Sequence, residues 1–266
     1  MIGDLTTLAN VQAWLNAGSN APYPPDGNAL LARLITACSA FIQNYLSLSF
    51  VPTVQTEKYN GTGQSALFLR KRPVINVSAV SINGTSIPAQ PSALQTGFVF
   101  DDTRVYLYGW TFGSGFQNIS VSYTSGYQAK TTQTIPTDGV PLSTSGFPLP
   151  WNADMGVMVN GVSFAAITNG NPAQGEYKVD VDNNGYPQYT FNAADAAAAA
   201  LITYGYTPYD IEQVCVEVVG EAFKRRSRIG QTSVNMADGQ VVNFSLKDFN
   251  EANKSLLNQY KNVVPV

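Results

Sequence analysis

The spacing of apolar residues changes twice along this chain, from helical to alternating and back to helical, so one class of secondary structure cannot account for it. Residues 26–46 place Leu30, Leu31, Leu34, Ile35, Cys38, Phe41, Ile42, Tyr45 and Leu46 at helical intervals, which predicts one amphipathic helix. A shorter helix over residues 8–15 precedes it, across the Pro- and Gly-rich stretch "GSNAPYPPDGN". After Pro52 the period drops to two, with Asn60-Gly61 and Asn83-Gly84 as turn signals between short strands. At Thr207 it becomes helical again. Thr207 reads as the N-cap, Pro208 as the first helical residue, and Asp210 stands three residues past the cap. Ile211, Val214, Cys215, Val218, Val219, Ala222 and Phe223 then share one face, and Gly230 reads as the C-cap. A hairpin turning at Asp238-Gly239 and a last helix over residues 245–260, on Phe249, Ala252, Leu256 and Leu257, complete the chain.

The expected fold is therefore α+β: a helical bundle from the two ends, with an inserted antiparallel β region of sandwich or barrel type. Residues 1–52 form the N-terminal helical pair, 53–127 the first β segment, 128–206 the second, and 207–266 the C-terminal helix, hairpin and final helix. The two β segments read as weak repeats. "VSINGTSI...LQTGFVFDDTRVYLYGWTFGSGFQNISVSYTSGY" aligns with "VMVNGVSF...PAQGEYKVDVDNNGYPQYTFNAADAAAAALITYGY". The alignment bears on two ambiguous stretches. "DVDNNGYPQYTF", residues 180–191, has Asp180, Asp182, Asn184 and Gly185 where a calcium loop needs them, but Phe191 where it needs a bidentate Glu. A hairpin tip equivalent to residues 101–104 is the better reading, since Asn-Gly tolerates positive φ. "NAADAAAAALITY" reads either as a short helix capped by Asn192 or as a turn and strand, and the repeat favours the strand.

The chemistry is sparse. Charged residues are 12% of the chain, about half the usual share, and aromatics 11%. Low charge with many aromatics suits surfaces that end up inside an assembly. A net charge of -3 gives no general affinity for nucleic acid or anionic membranes. The apolar runs fall short of the ~20 residues that a membrane span needs, and a start with Asp4 and no basic region argues against a signal peptide. Cys38 and Cys215 are read as reduced core thiols. With no histidine, the Ser-His-Asp and Cys-His nucleophile arrangements and His-based zinc sites are excluded. Asp101 and Asp102, adjacent in a strand, point to opposite faces and make no acid–base pair. The spacing of Gly61, Gly63 and Ala66 fits a dinucleotide fingerprint only formally, because the strand-like "LFLRKRP" follows it, and a hairpin is expected there. Neither cofactor nor metal ligands can be named. Lys224, Arg225, Arg226 and Arg228 concentrate cations either to complement a helix dipole or to face an acidic partner.

Taken in order, "LTTLANVQAWL...DGNALLARLITACSAFIQNYL", "KYNGTGQSALFLRKRPVINVSAVSING", "ISVSYTSGY" and "TPYDIEQVCVEVVGEAFKRRSRIGQTSV...VNFS" resemble the head-tail connector, or adaptor, family of tailed bacteriophages. In that family "SYTSGY" leads within a few residues to the "P-x-D-I" helix start, whereas residues 128–207 intervene here. The resemblance implies a non-enzymatic virion protein of the neck, assembled in the host cytoplasm. It implies a homo-oligomeric, twelvefold ring beneath the portal protein that extends the DNA channel toward a stopper or tail-completion protein, without sequence-specific DNA binding and without a membrane. The C-terminal segment would reach the portal, which makes Lys224, Arg225, Arg226, Arg228, Phe249, Leu256, Leu257 and Tyr260 the candidate contact residues. The alternative is a sugar-binding or host-recognition β module of a phage tail using Trp14, Trp110 and Trp151, although strand aromatics more often pack than bind.

Overall fold

The computed structural model describes residues 3–16, 27–93, 95–137, 139–183, 185–226, 233–235, 241–243 and 250–261, and the fold is mixed α+β. The described helices are α1 (Leu8–Asn16), α2 (Asn28–Leu46), α3 (Tyr209–Arg225) and α4 (Glu251–Tyr260). Their inward residues share one core, in which Val11, Leu31, Ile35, Ile42, Ile211, Cys215, Val219 and Leu257 are at most 2% exposed. Each such side chain contributes ~1.5–3 kcal/mol by leaving water. Polar bonds fix the packing: Leu5 N–H donates to Ser39 Oγ (2.9 Å), and Asn10 Nδ2 donates to Glu212 Oε1 (2.7 Å). Cys38 and Cys215 are free and buried in this core. By length and composition alone the 19-residue α2 could cross a membrane, with a mean hydropathy of 1.2 over an 18-residue stretch, a property its scattered apolar runs do not reveal. Here one of its faces is spent on the helical core.

The β region is two units with the same topology. The first contains β1 (Thr53–Gly61), β2 (Ala66–Phe68), β3 (Val74–Ile82), β4 (Thr85–Ile87), β5 (Gly97–Phe100), β6 (Arg104–Tyr108) and β7 (Gly115–Ser125). The second contains β8 (Gln128–Thr134), β9 (Leu142–Ser143), β10 (Trp151–Val159), β11 (Val162–Ser163), β12 (Ala165–Ile167), β13 (Glu176–Val181), β14 (Pro187–Phe191) and β15 (Ala199–Tyr206). Sheet order β1-β7-β3-β4 is repeated as β8-β15-β10-β11, and β2-β6-β5 as β9-β14-β13 with β12 added. β12 lies parallel to β13, and its counterpart in the first unit is a single parallel bridge, Ala89 to Phe98. In each unit the two sheets enclose their own core, around Val80, Val121 and Tyr123 in one and Ile202, Tyr189 and Tyr204 in the other. The β3–β4 and β10–β11 hairpins turn on Asn83-Gly84 and Asn160-Gly161, all four residues at φ between 50° and 81°. That is the backbone a two-residue hairpin needs.

The units and the helices meet at Pro52. A Cβ on Gly126 would stand 2.7 Å from Pro52 Cα, and one on Gly205 would stand 2.6 Å from Pro52 Cδ and 2.4 Å from Asn152 Oδ1. These glycines end β7 and lie in β15, at equivalent places in the repeat. The tyrosines after them form the next layer. Tyr127 N–H donates to Phe50 O (3.1 Å), Tyr206 N–H donates to Tyr127 O (3.1 Å), and the two tyrosine rings meet edge to face at 5.6 Å.

Several local expectations shift. Asn60-Gly61 is no turn: β1 runs through Gly61, where a bulge brings it against the 113 carbonyl, and β1 and β2 enter different sheets instead of forming a hairpin. No helix follows that could seat a pyrophosphate. The N-cap of α3 is Pro208, one residue late, because buried Thr207 spends its hydroxyl accepting from Asn152 Nδ2 (3.3 Å). Asn192 does cap a helix, but only the 3-10 turn Ala193–Asp195, and the alanines then run on as β15. α4 runs from Glu251, capped by Asn250, whose Oδ1 accepts from Asn253 N–H (2.7 Å), while residues 245–249 of the expected helix lie outside the described residues. β16 (Ser233–Asn235) and β17 (Val241–Asn243) pair antiparallel, as a hairpin requires, while Gly230 and the turn Asp238-Gly239 lie outside the described residues.

Gly205→Ala should lower unfolding free energy by ~1–3 kcal/mol, the usual cost of overpacking. Gly146→Ala, where nothing lies within 4 Å of the added atom, should change it by less than about 0.5 kcal/mol; denaturant titration of both variants compares them. A second outcome concerns Glu212, whose pKa is raised by burial, with the hydrogen bonds from Asn10 and Thr6 offsetting part of that. The unfolded carboxyl ionises first, so stability should fall as pH rises from its ordinary value near 4.5 through the higher folded value. Glu212→Gln should therefore melt above the wild type at about pH 8 and close to it at about pH 4 by calorimetry.

Candidate functional site

Lys224 and Arg225 occupy the last turn of α3, and Arg226 is its C-cap, with its guanidinium 3.8 Å from the centre of the Phe223 ring. Three cations at a helix C-terminus complement the dipole. Lys224 and Arg226 are also exposed. Arg228 and Phe249 lie outside the described residues. The remaining candidates are placed differently from the sequence expectation. Leu257 is fully buried, Leu256 and Tyr260 pack on the same helical core, and Tyr260 OH donates to Asp210 Oδ2 (2.8 Å). Asn253 Nδ2 donates to Glu217 Oε2 (3.0 Å), and Tyr45 OH donates to Asn258 Oδ1 (2.9 Å). The apolar stripe of α4 is thus used within the chain. An amphipathic pattern shows that a helix buries one face, not whose core receives it.

A second run of cations, Arg70, Lys71 and Arg72, went unused in the sequence reading although "LRKRP" displays it. Arg70 and Lys71 are exposed. The backbone beneath them is pinned by two buried tyrosines: Arg70 N–H donates to Tyr59 OH (3.1 Å) and Lys71 N–H to Tyr123 OH (3.1 Å). Both hydroxyls donate in turn to Glu57, Tyr123 at 2.7 Å from Oε2. Burial, and after it the bond to Glu57, push the Tyr59 hydroxyl well up, and burial raises that of Tyr123 to about 12, so both stay protonated donors. The Arg70 guanidinium lies over the Tyr59 ring at 4.6 Å.

The second unit has its own triad around the half-buried Asp154. Tyr177 OH and Tyr189 OH donate to Asp154 (2.6 and 3.0 Å), and Trp151 Nε1 donates to Tyr189 OH (2.9 Å). Trp151 is therefore packing and no sugar platform. Of the other two tryptophans named from the sequence, Trp14 is 45% exposed on α1, and Trp110, 43% exposed, lies with Tyr108 and Phe116 (47% and 81%) in and beside the Gly-rich loop between β6 and β7.

Both acidic turns are hairpin tips. Asp101 Oδ1 accepts from Thr103 N–H and Arg104 N–H, each at 2.7 Å. Partial burial works against ionisation of Asp101, but these bonds and that from Tyr106 prevail and hold its carboxyl at about 2. Asp182 Oδ1 likewise accepts from Tyr186 N–H (2.8 Å), and Asp180 pairs with Lys178 (2.9 Å). Asn184 lies outside the described residues, among which no three acidic or thiol groups gather as a metal site. The tips have equivalent roles. The first lines a cleft of about 340 Å³ with Tyr127, Tyr260 and Lys261, and the second closes on α1, bounding a cavity of about 370 Å³.

Among protein families, the one described as head completion protein matches residues 4–139, just over half the chain. The match takes in α1, α2, the first β unit and β8, and stops before the rest of the second unit and the C-terminal helices. No curated protein matches the chain. Leu257→Ala should cost ~2–5 kcal/mol of stability by opening a cavity in the helical core. Removal of α4 should for the same reason lower the melting temperature of the remainder, measured by circular dichroism at 222 nm.

Proposed function

The chain belongs to the head completion protein family, a structural family of the phage head–tail neck, and on that premise we propose that it is a non-enzymatic adaptor forming a ring, twelvefold as in connector relatives, between portal and stopper. The observation that carries the reading is the match over residues 4–139, which unites the helical pair with the first β unit. The outward side of α2 supports it. Ala29, Ala37, Ala40 and Phe41 are exposed there beside Thr36 and Asn44, and the exposed Arg33 is the only charge on the helix. A face with one charge and several small or aromatic residues suits a permanent subunit contact, in which the helices act as a bundle. The portal is met by the basic end of α3, which lies at one end of that bundle. A mildly acidic wall, at net -3, lets DNA pass without the phosphate neutralisation that would hold it.

The exposed Tyr108, Trp110 and Phe116 favour one other reading, a glycan-binding β module, which a glycan array distinguishes. An image of the neck within the particle tests the first reading. Neighbouring copies should bury the outer face of α2, and contacts made only through the second β unit would overturn the helical ring. Arg225→Glu with Arg226→Glu should slow attachment to the portal by about tenfold at low salt, with the difference from wild type shrinking as salt rises. Head–tail joining assayed over a salt series measures both.

A further inference from the structure

Where the second β unit closes on the helices it bounds a largely apolar cavity. Leu8, Ile35 and Trp151 line it, and Asp4, Asp180 and Asp182 stand around it, in a volume of about 370 Å³. Asp4 accepts from Thr36 Oγ1 (3.2 Å) and Asp182 is spent on its turn, while Asp180, its side chain 43% exposed, pairs with Lys178 (2.9 Å), a contact at the surface that an incoming cation can share or replace. A pocket with an apolar lining and carboxylates at its margin fits long cationic side chains, whose stems are hydrophobic and whose heads are charged. The volume lies within the range of built ligand sites, ~300–1,000 Å³.

The same chain displays such side chains elsewhere, at residues 70–72. We propose that the 70–72 loop of one copy seats in the cavity of the next copy, as the contact that joins neighbours through their β units. This rests on the ring reading and adds the surfaces to it. Three observations favour a second copy. The basic run Arg70, Lys71 and Arg72 is opposite in sign to the carboxylates around the cavity, of which Asp180 reaches the surface. The loop is held in advance by Tyr59 and Tyr123, so little ordering cost remains on binding. The two surfaces are different parts of one chain, which gives a head-to-tail contact of the kind that closes rings. A nucleic-acid phosphate is the weaker occupant for the loop. Asp101 and Asp102 sit beside it, with Leu69 N–H and Val74 N–H donating to the Thr103 and Asp102 carbonyls on either side.

The test is a disulfide across the contact. With Lys71→Cys and Asp180→Cys in one chain, mild oxidation of assembled particles should give a ladder of multimers on a non-reducing gel, while Cys38 and Cys215, both buried, stay silent. An amine-reactive cross-linker on the same particles separates the two ideas. Multimers with that reagent but none through the cysteine pair would overturn this contact and leave the ring standing. Single copies with both reagents would overturn ring and contact together. Charge reversal gives a second readout: Lys71→Glu or Asp180→Lys alone should lower the yield of joined particles by about tenfold, and the two combined should recover most of it. A combined chain no better than either single variant would also sink the proposal, since recovery is something misfolding cannot produce.

Discussion

The crowding around Pro52 governs how the parts of this protein are arranged. The chain leaves the helical core there, and both β units return to the same proline through Gly126 and Gly205, which have no side chain to hold them off. Phe50, Tyr127 and Tyr206 then hand a line of backbone hydrogen bonds from the helices to the first unit and on to the second. Because the packed atoms are backbone and a rigid ring, the approach has little freedom to relax. Two separately cored sandwiches are thereby fixed to one helical core through a few residues, and their hairpin tips fold back to touch it at two further places.

Much of this was legible because repetition and periodicity are properties of the chain itself. The change of period located the helical ends and the β middle. The alignment of "SYTSGY" with "TYGY" was sound because the Gly-Tyr pair does the same physical work twice, letting the backbone approach Pro52 and stacking the following ring. The alanine-rich stretch shows why propensity yielded to context. Ala200 and Ile202 are buried between β10 and β8, and pairing on both sides outweighs the few tenths of a kcal/mol by which each alanine favours a helix. The Asn60-Gly61 signal failed for the opposite reason, since Gly61 serves close contact with the 113 carbonyl and not a turn.

The candidate site was less legible. Patterning identified α4 as amphipathic but could not say that Leu257 and Tyr260 bury against α2 and α3 of the same chain, a matter of tertiary placement. The cations of the 224–228 run drew notice by number, whereas those at 70–72 were hidden in a strand-like context. Their significance comes from two tyrosines and a glutamate, Tyr59 and Glu57 eleven or more residues before the loop and Tyr123 about fifty after it. No local reading connects them.

Those tyrosines belong to a wider economy of polar groups. With charge at only 12% of residues, one half-buried carboxylate in each unit is satisfied by tyrosine hydroxyls: Glu57 by two in the first unit, Asp154 by two in the second. The triads do not occupy equivalent strands, since Glu57 and Tyr59 come from β1 and Asp154 from β10. They were therefore not simply inherited with the repeat, and each follows from what lies in front of it. The Glu57 triad holds the backbone under Arg70 and Lys71, while the Asp154 triad holds Trp151, a wall of the acidic cavity, through Tyr189. A carboxylate that accepts from two hydroxyls keeps its donors in one orientation, and a donor shared with the surface passes that orientation outward. Rigidity is thus placed behind both the basic loop and the cavity, the two surfaces whose charges complement each other.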